Sequence, residues 1–182
     1  MKIEKTNIEG CLIIQATVFK DERGYFFESF NQQRFIEVLG LDINFVQDNQ
    51  SFSTKGVLRG LHYQEGEHAQ AKLVRVLGGE VLDVAVDLRK ESSTYGNVVS
   101  TLLSSENHKQ MFVPRGCAHG FVTLSDTASF FYKCDNYYNQ ASEAGIMYND
   151  PAFNIDWKFP EEALIVSDKD KILPNFKEMV SL

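Results

Sequence analysis

Two side chains in the stretch VLRGLHYQ, residues 57–64, mark the first place where this chain could do chemistry. Arg59 offers a permanent cation suited to an anionic ligand, and His62 an imidazole suited to proton transfer. Gly60 between them allows a bulge that turns both toward one site. A lone histidine is more often structural than catalytic, so the neighbours decide. Just upstream, Gln47, Asn49, Ser51 and Ser53 share one parity of a strand-like segment. Such a row is either a solvated sheet face or the interior of a barrel that holds a polar ligand. Arg59 and His62 follow directly, which favours the barrel. Lys72 shares a face of KLVRVL with Val74 and Val76. An ammonium there either snorkels at a sheet edge or requires an anionic partner or a developing negative charge. Tyr132 sits with Phe130 and Cys134 on one face of SFFYKC, a position that by itself suits a core tyrosine with a satisfied hydroxyl. Asp168, Lys169 and Asp170, read by themselves, form a solvated loop.

The elements that must position these groups are mostly strands. Stretches such as CLIIQATVF, YFFESF and NVVSTLL are rich in Val, Phe, Tyr and Thr and are bounded by Gly, Asp, Asn or Ser. The clearest period of two runs from Glu80 to Leu88, with Leu82, Val84, Val86 and Leu88 on an apolar face and Val81, Asp83, Ala85 and Asp87 on a more polar one. One helix is predicted over 31–39: Phe35, Val38 and Leu39 share a face, Asn31 caps the start and Gly40 ends it. A further short turn is expected near the C-terminus. No repeat, low-complexity tract or linker divides the chain, so residues 1–182 read as a single domain: an all-β fold, a sandwich or barrel of the jelly-roll kind with a few short peripheral helices.

Bulk properties narrow the function classes. At 182 residues with 43% hydrophobic content, the chain can bury a core without disulfides or structural metal. A net charge of -7 and a pI near 5.1 argue against a broad nucleic-acid footprint, leaving only a local phosphate site. Cys11, Cys117 and Cys134 are odd in number and widely spaced, which suits buried thiols in a reducing compartment. The first ten residues carry charges where a signal peptide needs an apolar core, and no apolar run approaches the roughly 20 residues that span a bilayer. The expectation is a cytoplasmic protein without a membrane role.

The segment VPRGCAHGF places Pro114, Gly116 and His119 in the P-x-G-x-x-H pattern of the second cupin motif, so the chain resembles a cupin. Metal-binding cupins also carry an H-x-H pair followed by a glutamate, whereas the matching region here reads HYQ from His62 to Gln64. A metal site would need His68 or a distant carboxylate recruited without a spacing signal, so a metal-free barrel is expected.

Over nearly its whole length the sequence resembles the dTDP-4-dehydrorhamnose 3,5-epimerase family. The resemblance is carried in order by DERGYFFESF, FVQDNQS, VLRGLHYQ, KLVRV, GEVLDVAVDLR, TYG, VPRGCAHGF, FYK and SDKD. It implies His62 as general base, Asp170 as its paired carboxylate, Lys72 beside the C4 oxygen of the sugar and Tyr132 as proton donor. It also implies Arg59, with help from Arg23 and Lys169, on the nucleotide diphosphate, and Tyr138 stacked on thymine. Gln47, Asp48, Asn49, His119 and Glu143 would line the rest of the pocket. The segment bearing Arg23 and Glu28 would cross to a neighbouring subunit of a homodimer.

The implied reaction suits these residue types. A 4-keto group acidifies the C–H bonds at C3 and C5 of a dTDP-4-keto-6-deoxy sugar, so the enzyme needs a base, an oxyanion partner and an acid on the opposite face. No redox cofactor is required, and no Gly-rich dinucleotide fingerprint is present. Three other readings share parts of this pattern: an epimerase acting at C3 alone or a ketoisomerase, a metal-dependent cupin dioxygenase, and a non-catalytic sugar-binding cupin. The first pair shares the barrel and nucleotide site, but His62 together with Tyr132 favours epimerisation over ketoisomerisation. The dioxygenase would need firmly bound iron, and the binding cupin would have no use for a base and an acid on opposite faces.

Overall fold

The computed structural model describes residues 1–40 and 42–180. Its strands are β1 (Lys2–Lys5), β2 (Leu12–Gln15), β3 (Phe19–Asp21), β4 (Gly24–Phe26), β5 (Gln47–Thr54), β6 (Val57–Gln64) and β7 (Lys72–Gly78). They continue with β8 (Glu80–Asp87), β9 (Val98–Ser104), β10 (Lys109–Val113), β11 (Cys117–Thr123), β12 (Thr127–Cys134), β13 (Glu143–Gly145) and β14 (Ile165–Val166). Two short helices, α1 (Gln32–Leu39) and α2 (Phe176–Val180), lie outside the sheets. One six-stranded sheet runs β1-β2-β10-β7-β12-β5 and the other β13-β6-β11-β8-β9, with β14 added parallel to β6. Their pairing is otherwise antiparallel, and the two sheets face each other as a jelly-roll barrel.

The barrel is filled from both walls. Ile13, Val74, Val76, Met111 and Phe130 of the first sheet meet Val81, Ala85, Leu103, Cys117 and Phe121 of the second. The outer face of the second sheet is also covered: Leu58, Leu82, Val84 and Val122 pack against Ile146, Tyr148, Phe153 and Trp157 of the C-terminal segment. This explains β8. Its apolar face packs under the C-terminal segment, and its more polar face, with Asp83 and Asp87, points into the barrel and is equally buried. Asp87 is satisfied there by Arg89, Ser92 and Thr94 at 2.7–2.8 Å, which pins the following loop to the strand end.

The helix lies where the sequence places it. Asn31 caps it through Oδ1, which accepts from the Arg34 N–H at 3.1 Å, and Gly40 ends it at φ 64°. Phe35 packs on Ile14, Leu73 and Phe112 with Leu39 beside it, but Val38 is turned to solvent because the covered stripe runs along the i, i+4 row.

The feature that matters most for the site is in β6. His62 pairs with His119 and Arg59 with Phe121, so β6 takes three residue steps where β11 takes two. Residues three apart on a regular strand face opposite sides; the extra residue brings Arg59 and His62 to the same side. Gly60 is required for this. Its φ is 125°, and a Cβ there would lie 2.6 Å from Gly120 Cα and 2.9 Å from the His119 carbonyl oxygen. Gly60→Ala is therefore expected to destabilise the fold by about 3 kcal/mol, the sum of backbone strain and a backbone clash. Chemical denaturation measures this, and a midpoint equal to that of the unmodified chain would contradict the bulge's role.

Candidate active site

A cavity of about 600 Å³ opens between the sheets beside this bulge. The first sheet contributes an inner face read directly from the register: Asn49, Tyr132 and Val74 lie side by side across β5, β12 and β7. One pair along, Gln47, Cys134 and Lys72 form the next row. The alternating exposure along β5 confirms that Gln47, Asn49, Ser51 and Ser53 all face inward. The second sheet supplies Arg59, His62 and His119. His62 and Tyr132 thus stand on opposite walls of one cavity, with Lys72 Nζ 6.0 Å from the Tyr132 ring centre.

The C-terminal segment completes the site. After β14 pairs along Val57 and Leu58, a turn at Ser167 brings Asp170 beneath β6. Asp170 Oδ1 lies 2.6 Å from His62 Nε2, and Oδ2 accepts the Gly60 N–H at 3.3 Å. The solvated-loop reading of Asp170 therefore fails, because the tail docks and leaves its carboxylate almost fully buried. Burial alone would raise its pKa, but the hydrogen bond and charge of His62, with the Gly60 N–H and Ser167, outweigh this and hold the carboxyl below its ordinary value. A carboxylate on Nε2 fixes the proton there and leaves Nδ1 as the free lone pair of His62.

The other groups are equally constrained. Lys72 is half-buried at the cavity wall, donates to the His62 carbonyl oxygen at 3.3 Å, and has its pKa lowered by burial against the opposing pull of Cys134, Asp83 and Glu143. Burial pushes the Tyr132 phenol up to about 12, so it keeps its proton at neutral pH. Arg59 Nε donates to Ser53 Oγ at 3.1 Å and Nη2 to the Phe52 carbonyl at 3.4 Å, leaving the rest of the guanidinium at the rim. At the mouth, Lys169 Nζ meets Glu143 Oε1 at 2.6 Å, the Tyr138 hydroxyl donates to Glu143 Oε2 at 2.9 Å, and the Tyr138 N–H donates to Gln47 Oε1 at 3.0 Å. Lys169 holds the Glu143 carboxyl below its usual range, and Glu143 raises both Lys169 and Tyr138.

Three residues implied by the resemblance lie elsewhere. Asp48 is on the outward parity of β5 and binds Lys133 Nζ at 2.9 Å. Arg23 sits at the tip of the β3–β4 hairpin, paired with Asp21, its side chain 86% exposed. Glu28 binds Arg34 at 3.0 Å and Asn31 at 3.1 Å, away from the cavity. His119 does line the cavity, with its Nε2 engaged 2.8 Å from Asp83 Oδ1. Asp83, which holds the cavity residue His119, is not among the candidates the sequence singles out. The signal was present: an aspartate on the same strand face as Val81 and Ala85 poses the same burial problem as Lys72 among valines. Among the described residues no group of three His, Cys, Asp or Glu side chains could hold a metal ion.

A cupin-like barrel whose cavity sets an imidazole–carboxylate pair against a phenol, with a buried ammonium beside them, has the outline of an isomerase that works by moving protons. Comparison with known proteins narrows this: the family model of dTDP-4-dehydrorhamnose 3,5-epimerase matches residues 5–178, and the chain belongs to that family. The Salmonella typhimurium dTDP-4-dehydrorhamnose 3,5-epimerase is 56% identical over 161 residues, 88% of each chain. The crystal structure of the Elizabethkingia anophelis enzyme superposes with a TM-score of 0.94 at 57% identity, covering 98% of this chain and 97% of that one. The Legionella pneumophila epimerase, solved in complex with dTDP-4-keto-L-rhamnose, gives 0.92 at 49% identity, covering 97% and 93%.

Asp170→Asn keeps the shape but removes the charge that fixes the His62 tautomer and stabilises its protonated form. Turnover should fall about a hundred- to ten-thousand-fold, with affinity for dTDP unchanged within about threefold because the diphosphate groups are untouched. Steady-state kinetics and dTDP titration check both. Turnover above a tenth of the original would remove Asp170 from the mechanism.

Proposed function

We propose that this chain catalyses epimerisation at C3 and C5 of dTDP-4-dehydro-6-deoxy-D-glucose, giving dTDP-4-dehydro-L-rhamnose for dTDP-L-rhamnose biosynthesis in the cytoplasm. The observation that carries the reading is the placement of His62, held by Asp170, and Tyr132 on opposite walls of one cavity. The ligand in the Legionella relative supports the substrate class.

Deprotonation at C3 or C5 leaves the electron pair delocalised onto the C4 oxygen. His62 Nδ1 takes the proton, and Asp170 stabilises the imidazolium through Nε2–H. The Lys72 ammonium lies where the enolate oxygen develops; a preorganised donor of this kind contributes about 3 to 4 kcal/mol to lowering a barrier. Tyr132 returns a proton from the other wall, which inverts the carbon. Its raised pKa does not hinder this, because an enolate carbon is far more basic than a phenolate. Both carbons adjoin the same carbonyl, so one base, one oxyanion partner and one acid serve both. Arg59 and Lys169 supply the cations for the diphosphate, Tyr138 a ring for thymine, and Gln47, Asn49, His119 and Glu143 the remaining polar contacts.

The proposed enzyme is a homodimer in which the segment with Arg23 and Glu28 completes a neighbouring site. The β3–β4 hairpin supports this, since it presents Phe19, Tyr25 and Phe26 largely to solvent. Incubation with dTDP-4-keto-6-deoxyglucose in deuterated water, followed by NMR, tests the function. Deuterium is expected at both C3 and C5 of an inverted product. Label and inversion confined to C3 would reduce the activity to mono-epimerisation, a shifted carbonyl would make it a ketoisomerase, and an unlabelled substrate would overturn the proposal.

A further inference from the structure

Lys72 poses an electrostatic problem that the reaction does not solve. Its ammonium lies between the sheets, half-buried at the cavity wall, and among the described residues makes one hydrogen bond, to a neutral carbonyl oxygen at 3.3 Å. A desolvated ammonium without a counter-charge gives up its proton, and a neutral amine is a poor partner for an enolate. Some group must keep the charge in place.

The titratable groups facing Lys72 come from five strands: His62 on β6, Tyr132 and Cys134 on β12, His119 on β11, Asp83 on β8 and Glu143 on β13. Tyr132 and Cys134, raised by burial to about 12 and about 11, carry no charge at neutral pH. Glu143 is already matched by Lys169 at 2.6 Å and by the Tyr138 hydroxyl. The remaining carboxylate is Asp83. It is fully buried, its Oδ1 is engaged by His119 Nε2 at 2.8 Å, and its Oδ2 has no hydrogen-bond partner among the described residues. A buried carboxylate oxygen left open is costly, and so is a half-buried ammonium with one contact; the two form no direct ion pair, but their charges attract across the barrel interior, so each relieves the other.

We infer that Asp83 is the counter-ion of Lys72, a positioning residue whose open oxygen keeps the lysine charged inside the barrel, with His119 orienting it from the other side. Asp83 touches no reacting atom in this account and acts through Lys72. Burial pushes the Asp83 carboxyl up, and the His119 hydrogen bond and the Lys72 charge oppose that push, so the carboxylate form depends on the same two neighbours. His119 then has a structural task as well as a place on the cavity wall.

The kinetic consequence rests on the reading of Lys72 as the enolate's partner; the effect on stability does not. Asp83→Asn retains an acceptor for His119 and removes the charge. Its alkaline limb of kcat should move to lower pH by about one unit or more, the usual effect of a close opposite charge. A role in packing alone would lower the rate equally at every pH. Stability is read in parallel by denaturation of Asp83→Asn, Lys72→Met and the double variant. Asp83→Asn should destabilise the chain strongly when Lys72 is present and little or not at all when methionine replaces it. If the single variant does not fold, recovery of a folded double variant supports the pairing. Equal destabilisation in both backgrounds, or a double variant that also fails to fold, overturns it. Coupling in stability without the shift in the pH profile would leave the ion pair intact and overturn Lys72 as the oxyanion partner.

Discussion

One carboxylate ties the fold to the chemistry. Asp170 comes from the C-terminal tail and binds both the backbone of the β6 bulge, at the Gly60 N–H, and the imidazole of His62 at Nε2. The bulge turns His62 into the cavity, and the carboxylate sets which ring nitrogen faces the ligand. Neither arrangement persists without the tail, because the buried Gly60 N–H and the half-buried imidazole would each lose a partner. The depressed Asp170 pKa gives the sign of the pH effect: the stabilisation is complete above the ordinary carboxyl pKa and is lost as pH falls through the lower folded value. Acid therefore loosens the tail and the active site together.

The rest of the cavity is arranged around charge. The chain carries a net charge of -7, yet Arg59, Lys72 and Lys169 converge on one opening. Each is matched differently: Arg59 reaches Ser53 and a carbonyl oxygen, Lys169 pairs with Glu143, and Lys72 lies deep between the sheets. A diphosphate entering here would meet cations at the rim and leave the deep ammonium for the sugar. Local placement of charge, and not its total, makes an anion site in an acidic protein.

Much of this was legible in the sequence, for reasons specific to the residues. The parity of Gln47, Asn49, Ser51 and Ser53, the glycine between Arg59 and His62, and the lysine among valines each break a local rule, and Asn49, Ser51, Arg59, His62 and Lys72 line the cavity. Asp170 could not be read from its surroundings, since a charged tripeptide looks solvated until the tail is known to dock 108 residues away on His62. The resemblance implies Asp48 in the pocket, although strand parity sends it to the other face, toward Lys133. Arg23 and Glu28 lie outside the cavity of their own chain, paired with Asp21 and Arg34, so the motif that names them is not matched by their geometry within one chain.

The central claim is a division of labour between two walls: the second sheet removes a proton and the first returns one. Tyr132→Phe tests it most directly, because the ring, its packing and the His62 base all remain while the proposed acid is lost. The quantity to measure is the ratio of deuterium wash-in to inversion in deuterated water. The account predicts that label still enters C3 or C5 with configuration retained, returned by His62 on the face it left, while inversion falls about a hundredfold or more. Inversion at close to the unmodified rate would contradict it.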